Sequence, residues 1–197
     1  MGAIFTSPRN TVIASVVLLI VIIAVLHATG AKMFALDHNW SLLAMRWLHI
    51  VSGVMWIGLL WYLNFVQVPT MPKIQPPEHT AAINKFIAPN VLFYFRYAAL
   101  VTVITGLLLA LMTPGFFVAA FTLKASHRAI GIGMYMALIM AFNVWFLIWP
   151  NQQKILGLVP ATDAEKAKAR PIALYASRFN TMFSLGMLYC MAAQSHG

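Results

Sequence analysis

Apolar residues run along this chain in five blocks, separated by short polar stretches rich in proline, glycine and lysine. Each block holds the roughly 20 residues with which a helix crosses a hydrocarbon core. The pattern predicts five transmembrane helices, at about residues 11–36, 42–68, 90–112, 123–149 and 172–193. The first is almost purely aliphatic from Thr11 to Leu26 and reads as a retained anchor, with a signal peptide cleaved near Ala28–Ala31 as the rival reading. His27, Lys32, Asp37, His38 and Trp40 make an interfacial patch before the second block. Pro69, Pro72, Pro76, Pro77, Glu78 and Lys85 mark the next connection, where residues 80–87 suit a helix lying on the membrane surface. Thr113, Pro114 and Gly115 break the third block from the fourth, which ends at Pro150. In PATDAEKAKARP, Thr162 and Glu165 have capping-box spacing, predicting a short solvated helix before Pro171 opens the fifth span.

Composition agrees with an all-α integral membrane protein forming a single membrane domain over residues 1–197: 61% of residues are hydrophobic and 9% charged. A net charge of +9 would suggest nucleic acid for a soluble domain, but here the cations lie mostly between apolar blocks, where they orient helices. Arg9, Lys73, Lys85, Lys154, Lys166, Lys168 and Arg170 fall on one side of the five-span arrangement; Lys32, Lys124, Arg46 and Arg128 fall on or near the other. The positive-inside rule then makes the N-terminus cytoplasmic and the C-terminus periplasmic. Cys190 is the single cysteine, which excludes an internal disulfide and a covalent CxxCH haem site.

A short duplication crosses the chain. Pro69–Ile74 and Pro150–Ile155 both read proline, three residues, lysine, isoleucine. Arg96 and Arg178 follow these prolines by 27 and 28 residues, and His49 and His127 precede them by 20 and 23. Each histidine is followed four residues later by glycine, Gly53 and Gly131. Spans two-three and four-five therefore read as two related hairpins, with the first span an addition. The repeat brings His49 and His127 to similar depths in the outer half. Five of the six histidines, His27, His38, His49, His127 and His196, fall on or near that side, and His79 does not.

An ionisable side chain inside a span is costly, so His49 in WLHIVSGVMWIG asks for a function. Two facing imidazoles can ligate haem iron axially, and a glycine one turn from each lets a flat macrocycle approach the backbone. Arg46 and Arg128 are placed to neutralise propionates, and Trp47, Trp56, Tyr97 and Tyr135 to pack around the ring. A b-type haem between His49 and His127 is the sharp expectation. The bland alternative is that both histidines hydrogen-bond across helices while the glycines only permit close packing. Copper or zinc is the competing chemistry, with His27, His38 and His49 joined by Cys190, Met187 or Met191. Asn64, Asn143 and Asn180 read as ties between helices, and no carboxylate lies within a span, as a proton-coupled transporter would ordinarily require.

The stretch from Arg46 to Ile74, RWLHIVSGVMWIGLLWYLNFVQVPTMPKI, resembles the membrane domain of PuuD-type urate hydroxylases. The resemblance continues through FRYAALVTVITGLLLA, SHRAIGIGMYMALIMAFNVWFLIWPNQQK and SRFNTMFSL. More loosely, histidine followed by W-I-G is similar to CopD-like copper proteins and to HemJ-type proteins, whose association with haem b agrees with the residue-level reading. Urate hydroxylases of this type carry further spans and a cytochrome c domain; without CxxCH in these 197 residues, urate chemistry implies a separate cytochrome c as electron exit. The sequence thus predicts an inner-membrane, haem b-binding electron-transfer protein or redox subunit. It would lie between a quinone or small reductant and a periplasmic cytochrome, in a larger respiratory complex or homo-oligomer. The alternatives are a cofactor-free accessory subunit and a membrane-bound urate hydroxylase.

Overall fold

The computed structural model describes residues 2–31, 37–76 and 78–193, all of whose regular structure is helical. Lys32, Pro77, His196 and the expected end of the first span, residues 32–36, lie outside the described residues. The elements that matter below are α1 (Pro8–Leu26), α2 (His38–Trp61), α3 (Ala88–Met112), α4 (Phe116–Phe121), α5 (Arg128–Phe142) and α6 (Asp163–Ala193). The chain divides into two compact units, Met1–Ala44 and Met45–Gly197.

In the first unit, α1 has no buried residue and is apolar on every side, which suits lipid chains as its surroundings. A π turn, His27–Ala31, follows it, with Gly30 at φ 89°, a conformation that glycine adopts without a Cβ penalty.

The second unit is built around one core in which Trp56 and Leu60 of α2, Phe95 and Ala99 of α3, Met140 of α5 and Met187 of α6 are buried together. Many large apolar side chains on the outer faces of these helices remain exposed, among them Val54, Ile104, Ile139 and Leu185. Among the described residues, four stretches are long and apolar enough to cross a membrane: Pro8–Gly30, His38–Lys73, Glu78–Met112 and Ala125–Ile155. This is a multi-pass membrane protein. The expected fifth span falls within α6, which is 31 residues long but more polar, since Asp163, Glu165, Lys166, Lys168 and Arg170 occupy its start and Arg178 and Asn180 its middle.

Boundaries depart from the sequence reading for local reasons. The solvated helix and the fifth apolar block are one element, and Pro171 sits inside it rather than opening it. The capping box forms as expected: Thr162 donates its backbone N–H (2.8 Å) and hydroxyl (2.9 Å) to Glu165, whose N–H reaches the Thr162 hydroxyl at 3.3 Å. Of the expected fourth span, Leu123 and Lys124 lie ahead of the stretch Ala125–Ile155, which opens with a 3₁₀ turn, Ala125–His127, before α5. The short helix α4, started by Gly115 at φ 75° after the Thr113–Pro114 break, was not expected.

Three prolines within the helical stretches have a common accommodation. A proline lacks an N–H and its ring collides with the carbonyl four residues back, so the α-helical register is locally lost. Tyr62–Gln67, Ile83–Ile87 and Asn143–Ile148 are π turns, each ending two residues before a proline, Pro69, Pro89 or Pro150. The asparagines in two of these turns bind α6. Asn64 donates to the Ser177 hydroxyl at 2.8 Å, and Asn143 donates to Asn180 Oδ1 at 2.9 Å. Asn180, fully buried, donates onward to the Met140 carbonyl at 2.9 Å. Arg96 is held over the Trp149 ring at 3.6 Å, with Tyr97 and Phe93 beside it.

Asn180→Leu is expected to lower unfolding stability in detergent by about 1–2 kcal/mol, because interhelical hydrogen bonds in membranes carry values of that order and Asn143 loses its acceptor. An unchanged transition would show that the pair contributes nothing. At the start of α6, the Thr162 backbone N–H, followed by its hydroxyl, holds the Glu165 carboxyl below its usual range. A depressed folded pKa stabilises above the ordinary carboxylate pKa and loses that contribution as pH falls through the folded value. Amide protection in residues 163–168, taken relative to the intrinsic exchange rate at each pH, should therefore fall on acidification, and be lower already at neutral pH in Thr162→Ala.

Candidate functional site

His49 lies three turns into α2, half-buried, on a face that meets α3. Its Nδ1 is 2.9 Å from the Thr102 carbonyl oxygen and 3.2 Å from the Thr105 hydroxyl. A carbonyl only accepts, and the Thr105 hydroxyl already donates to the Val101 carbonyl at 2.7 Å. Nδ1 therefore carries the proton, and Nε2 keeps its lone pair in the neutral ring. Gly106 makes this contact possible. A Cβ there would stand 2.9 Å from His49 Cε1 and 3.2 Å from Nδ1, so the imidazole fills the space that a side chain would take. Gly53, one turn after His49, brings the two helices close, its Cβ position being 3.7 Å from the Thr102 methyl carbon.

Beside this contact α2, α3, α5 and α6 line a half-open apolar cavity of about 400 Å³, within the roughly 300–1,000 Å³ typical of ligand sites. His49, Gly53, Trp56, Gly58 and Trp61 form one wall, Thr102 and Gly106 a second, and Met134, Met187 and Met191 belong to the third and fourth. Trp61 Nε1 donates to Ser184 Oγ at 2.9 Å. Trp56 is fully buried, yet its Nε1 has no hydrogen-bond partner among the described residues.

Of the residues singled out in the sequence, the cavity gathers His49, Gly53 and Trp56, with Met187 and Met191 from the copper reading. His127, Gly131, Arg46 and Arg128 are not among its lining residues. His127 ends the 3₁₀ turn, its ring edge-on to Phe116 at 4.9 Å and its Nδ1 2.8 Å from Ser126 Oγ. Gly131 serves packing between α4 and α5, since a Cβ there would overlap the Ala120 carbonyl. Arg46 is exposed, and Arg128 caps the Leu123 carbonyl at 3.5 Å. Trp47 is exposed, Tyr97 meets Trp145 edge-on, and Tyr135 donates to the Phe121 carbonyl. His27 and His38 are exposed residues of the first unit. Among the described residues no three His, Cys, Asp or Glu side chains converge as a metal site. The sequence reading missed Thr102, Thr105 and Gly106, although TVITG is an unusual cluster of two hydroxyls and a glycine within an apolar helix.

Residues 96–197 match the family described as urate oxidase N-terminal. The chain belongs to this urate oxidase N-terminal family. No curated protein and no solved structure matches it. In this family member the matched segment contains Thr102, Thr105, Gly106 and the three cavity methionines, whereas His49 and Trp56 precede it.

Gly58 lines the cavity with nothing within 4 Å of its Cβ position, while Gly131 faces backbone. Gly131→Ala should destabilise by about 1–3 kcal/mol through overpacking. Gly58→Ala should instead leave stability unchanged or raise it by up to about 1 kcal/mol, since alanine is the better helix former. Unfolding in detergent compares the two, and equal effects would contradict these packing assignments.

Proposed function

We propose that this protein is a membrane-embedded redox protein that holds a b-type haem in the α2–α3–α5–α6 cavity, with His49 as an axial ligand. The observation that carries this reading is the His49 Nδ1 contact with the Thr102 carbonyl. Histidines that bind metal commonly donate the other ring nitrogen to a carbonyl or carboxylate, which fixes the tautomer and ring orientation. The residues present fit the group. Nε2 has no hydrogen bond among the described residues, the cavity is apolar, and the glycines Gly53 and Gly58 leave room for a flat ring against α2.

Haem held there supplies a one-electron couple. The chain's own part is to orient Nε2 through Thr102 and Thr105, to exclude water with Trp56, Ile57 and Leu107, and to set the polarity around the site. In this reading α6 is a fifth span, the N-terminus is cytoplasmic, and the site lies toward the periplasmic face of a bacterial inner membrane. The matching π turns before Pro69 and Pro150 support two related hairpins. Electrons pass between a quinone or small reductant and a periplasmic cytochrome, in a larger respiratory complex or homo-oligomer.

Protein purified from haem-replete cells is expected to show a Soret band, and His49→Ala should lower haem occupancy at least about tenfold, the smaller end of effects for groups that only support a metal ligand. A wild-type protein without the band, or a band indifferent to His49→Ala, rules the reading out. Family membership favours a second reading, a part in urate oxidation with a separate cytochrome c as acceptor. It predicts faster urate consumption in membranes containing the protein than in membranes lacking it.

A further inference from the structure

The short duplication in the sequence pairs Arg96 with Arg178, and the two side chains have different surroundings. Arg178 is exposed. Arg96 is only partly exposed, its guanidinium carbon 3.6 Å from the centre of the Trp149 ring and 5.1 and 5.6 Å from those of Tyr97 and Phe93. These rings hold the cation in place without neutralising it. Among the described residues no carboxylate forms an ion pair with it. Its Nε and Nη1 are buried without a hydrogen-bond partner, whereas Nη2, equally unpartnered among the described residues, is not a buried atom. The guanidinium therefore keeps one open edge.

Its depth is set by its neighbours. Trp149 is followed by Pro150, Asn151, Gln152, Gln153 and Lys154, so the stacked guanidinium lies where an apolar stretch gives way to polar chain. Phe93, Tyr94 and Tyr97 around it are exposed on α3, and tyrosine and tryptophan favour the headgroup level of a bilayer. A charge at the edge of the hydrocarbon is costly unless it meets a counter-charge. We propose that Arg96 binds the phosphate of an anionic phospholipid through this open edge, with Trp149, Tyr97 and Phe93 fixing the plane of the guanidinium. Arginine suits this role because its planar N–H groups match phosphate oxygens. Lys85 ahead of α3 and Lys154 after Trp149 make the surroundings basic, which favours a lipid of net negative charge over a zwitterionic one. Neither Arg96 nor its three rings line the His49 cavity, so this is a separate site.

The test uses the purified full chain reconstituted into nanodiscs of an equal mixture of phosphatidylcholine and phosphatidylglycerol. Lipid retained after transfer to mild detergent is identified by native mass spectrometry. The wild-type protein should retain phosphatidylglycerol in preference to phosphatidylcholine. Arg96→Gln should lower that retention about tenfold or more, the factor for losing a hydrogen bond between charged groups. Arg178→Gln, the same change at the repeat counterpart, should leave it unaltered. Wild-type protein alone gives a second readout: it should unfold at a higher temperature in the mixture than in phosphatidylcholine nanodiscs, and inorganic phosphate added to lipid-free protein in detergent should not reproduce the rise. Equal retention of the two lipids by the wild type, retention indifferent to Arg96→Gln, or equal loss in Arg178→Gln overturns the site. A rise reproduced by inorganic phosphate overturns the lipid as its ligand.

Discussion

The contact between the His49 ring and the Thr102 carbonyl is the constraint on which the rest of the site depends. An imidazole N–H in an apolar span must find an acceptor, because the hydrocarbon offers none. Helix carbonyls are normally covered by the side chain one turn further on, here residue 106. Glycine at that position uncovers the Thr102 carbonyl, and Thr105 adds a second acceptor beside it. One hydrogen bond thus sets the tautomer, the ring's orientation and the approach of α2 to α3. The cavity follows from the same geometry. α2 is close to α3 at His49 and Gly53, and is tied to α6 through Trp61 and Ser184. Between these two attachments, small residues such as Gly58 leave space that no side chain fills.

Prolines shape the opposite half of the same helices. Each of Pro69 and Pro150 removes a backbone donor and forces a π turn on its N-terminal side. Asn64 and Asn143 stand in those turns and bind α6, through Ser177 and Asn180. The irregular backbone is thereby fastened where it would otherwise be a weak point. The arrangement leaves α6 polar at Ser177, Asn180 and Ser184 for a structural reason: it is the helix to which the others are tied. That polarity also explains why α6, despite its 31 residues, is less apolar than the four stretches long and apolar enough to cross a membrane.

The all-helical, multi-pass character was legible because a twenty-residue apolar block has few other uses, and the Thr162–Glu165 cap because its signal is local. His49, Gly53 and Trp56 were legible for a related reason: one helical face brings residues three, four and seven apart together without knowledge of the partner helix. What faces them was not. Gly106 and the two threonines are marked only by being small or weakly polar in an apolar helix, which packing alone also produces. The break at Thr113–Pro114–Gly115 was visible, but not that the residues after it would form α4 and then a 3₁₀ turn whose His127 meets Phe116 and Ser126.

His49 and His127 show how identical local patterns acquire different meanings. Both are followed by glycine four residues later, yet the two glycines meet different neighbours. Gly53 meets a threonine methyl beside open space, so its helix can border a cavity. Gly131 meets the backbone of Ala120, so its helix is sealed against α4. Spacing within one helix specifies a face; only the neighbouring helix decides whether that face becomes a pocket or a seam. The matched part of the family, residues 96–197, supplies the neighbours of His49 without containing it. The orientation of that histidine is therefore set by Thr102, Thr105 and Gly106 inside the matched segment, and the segment's own polar groups are organised to receive a ring from outside it.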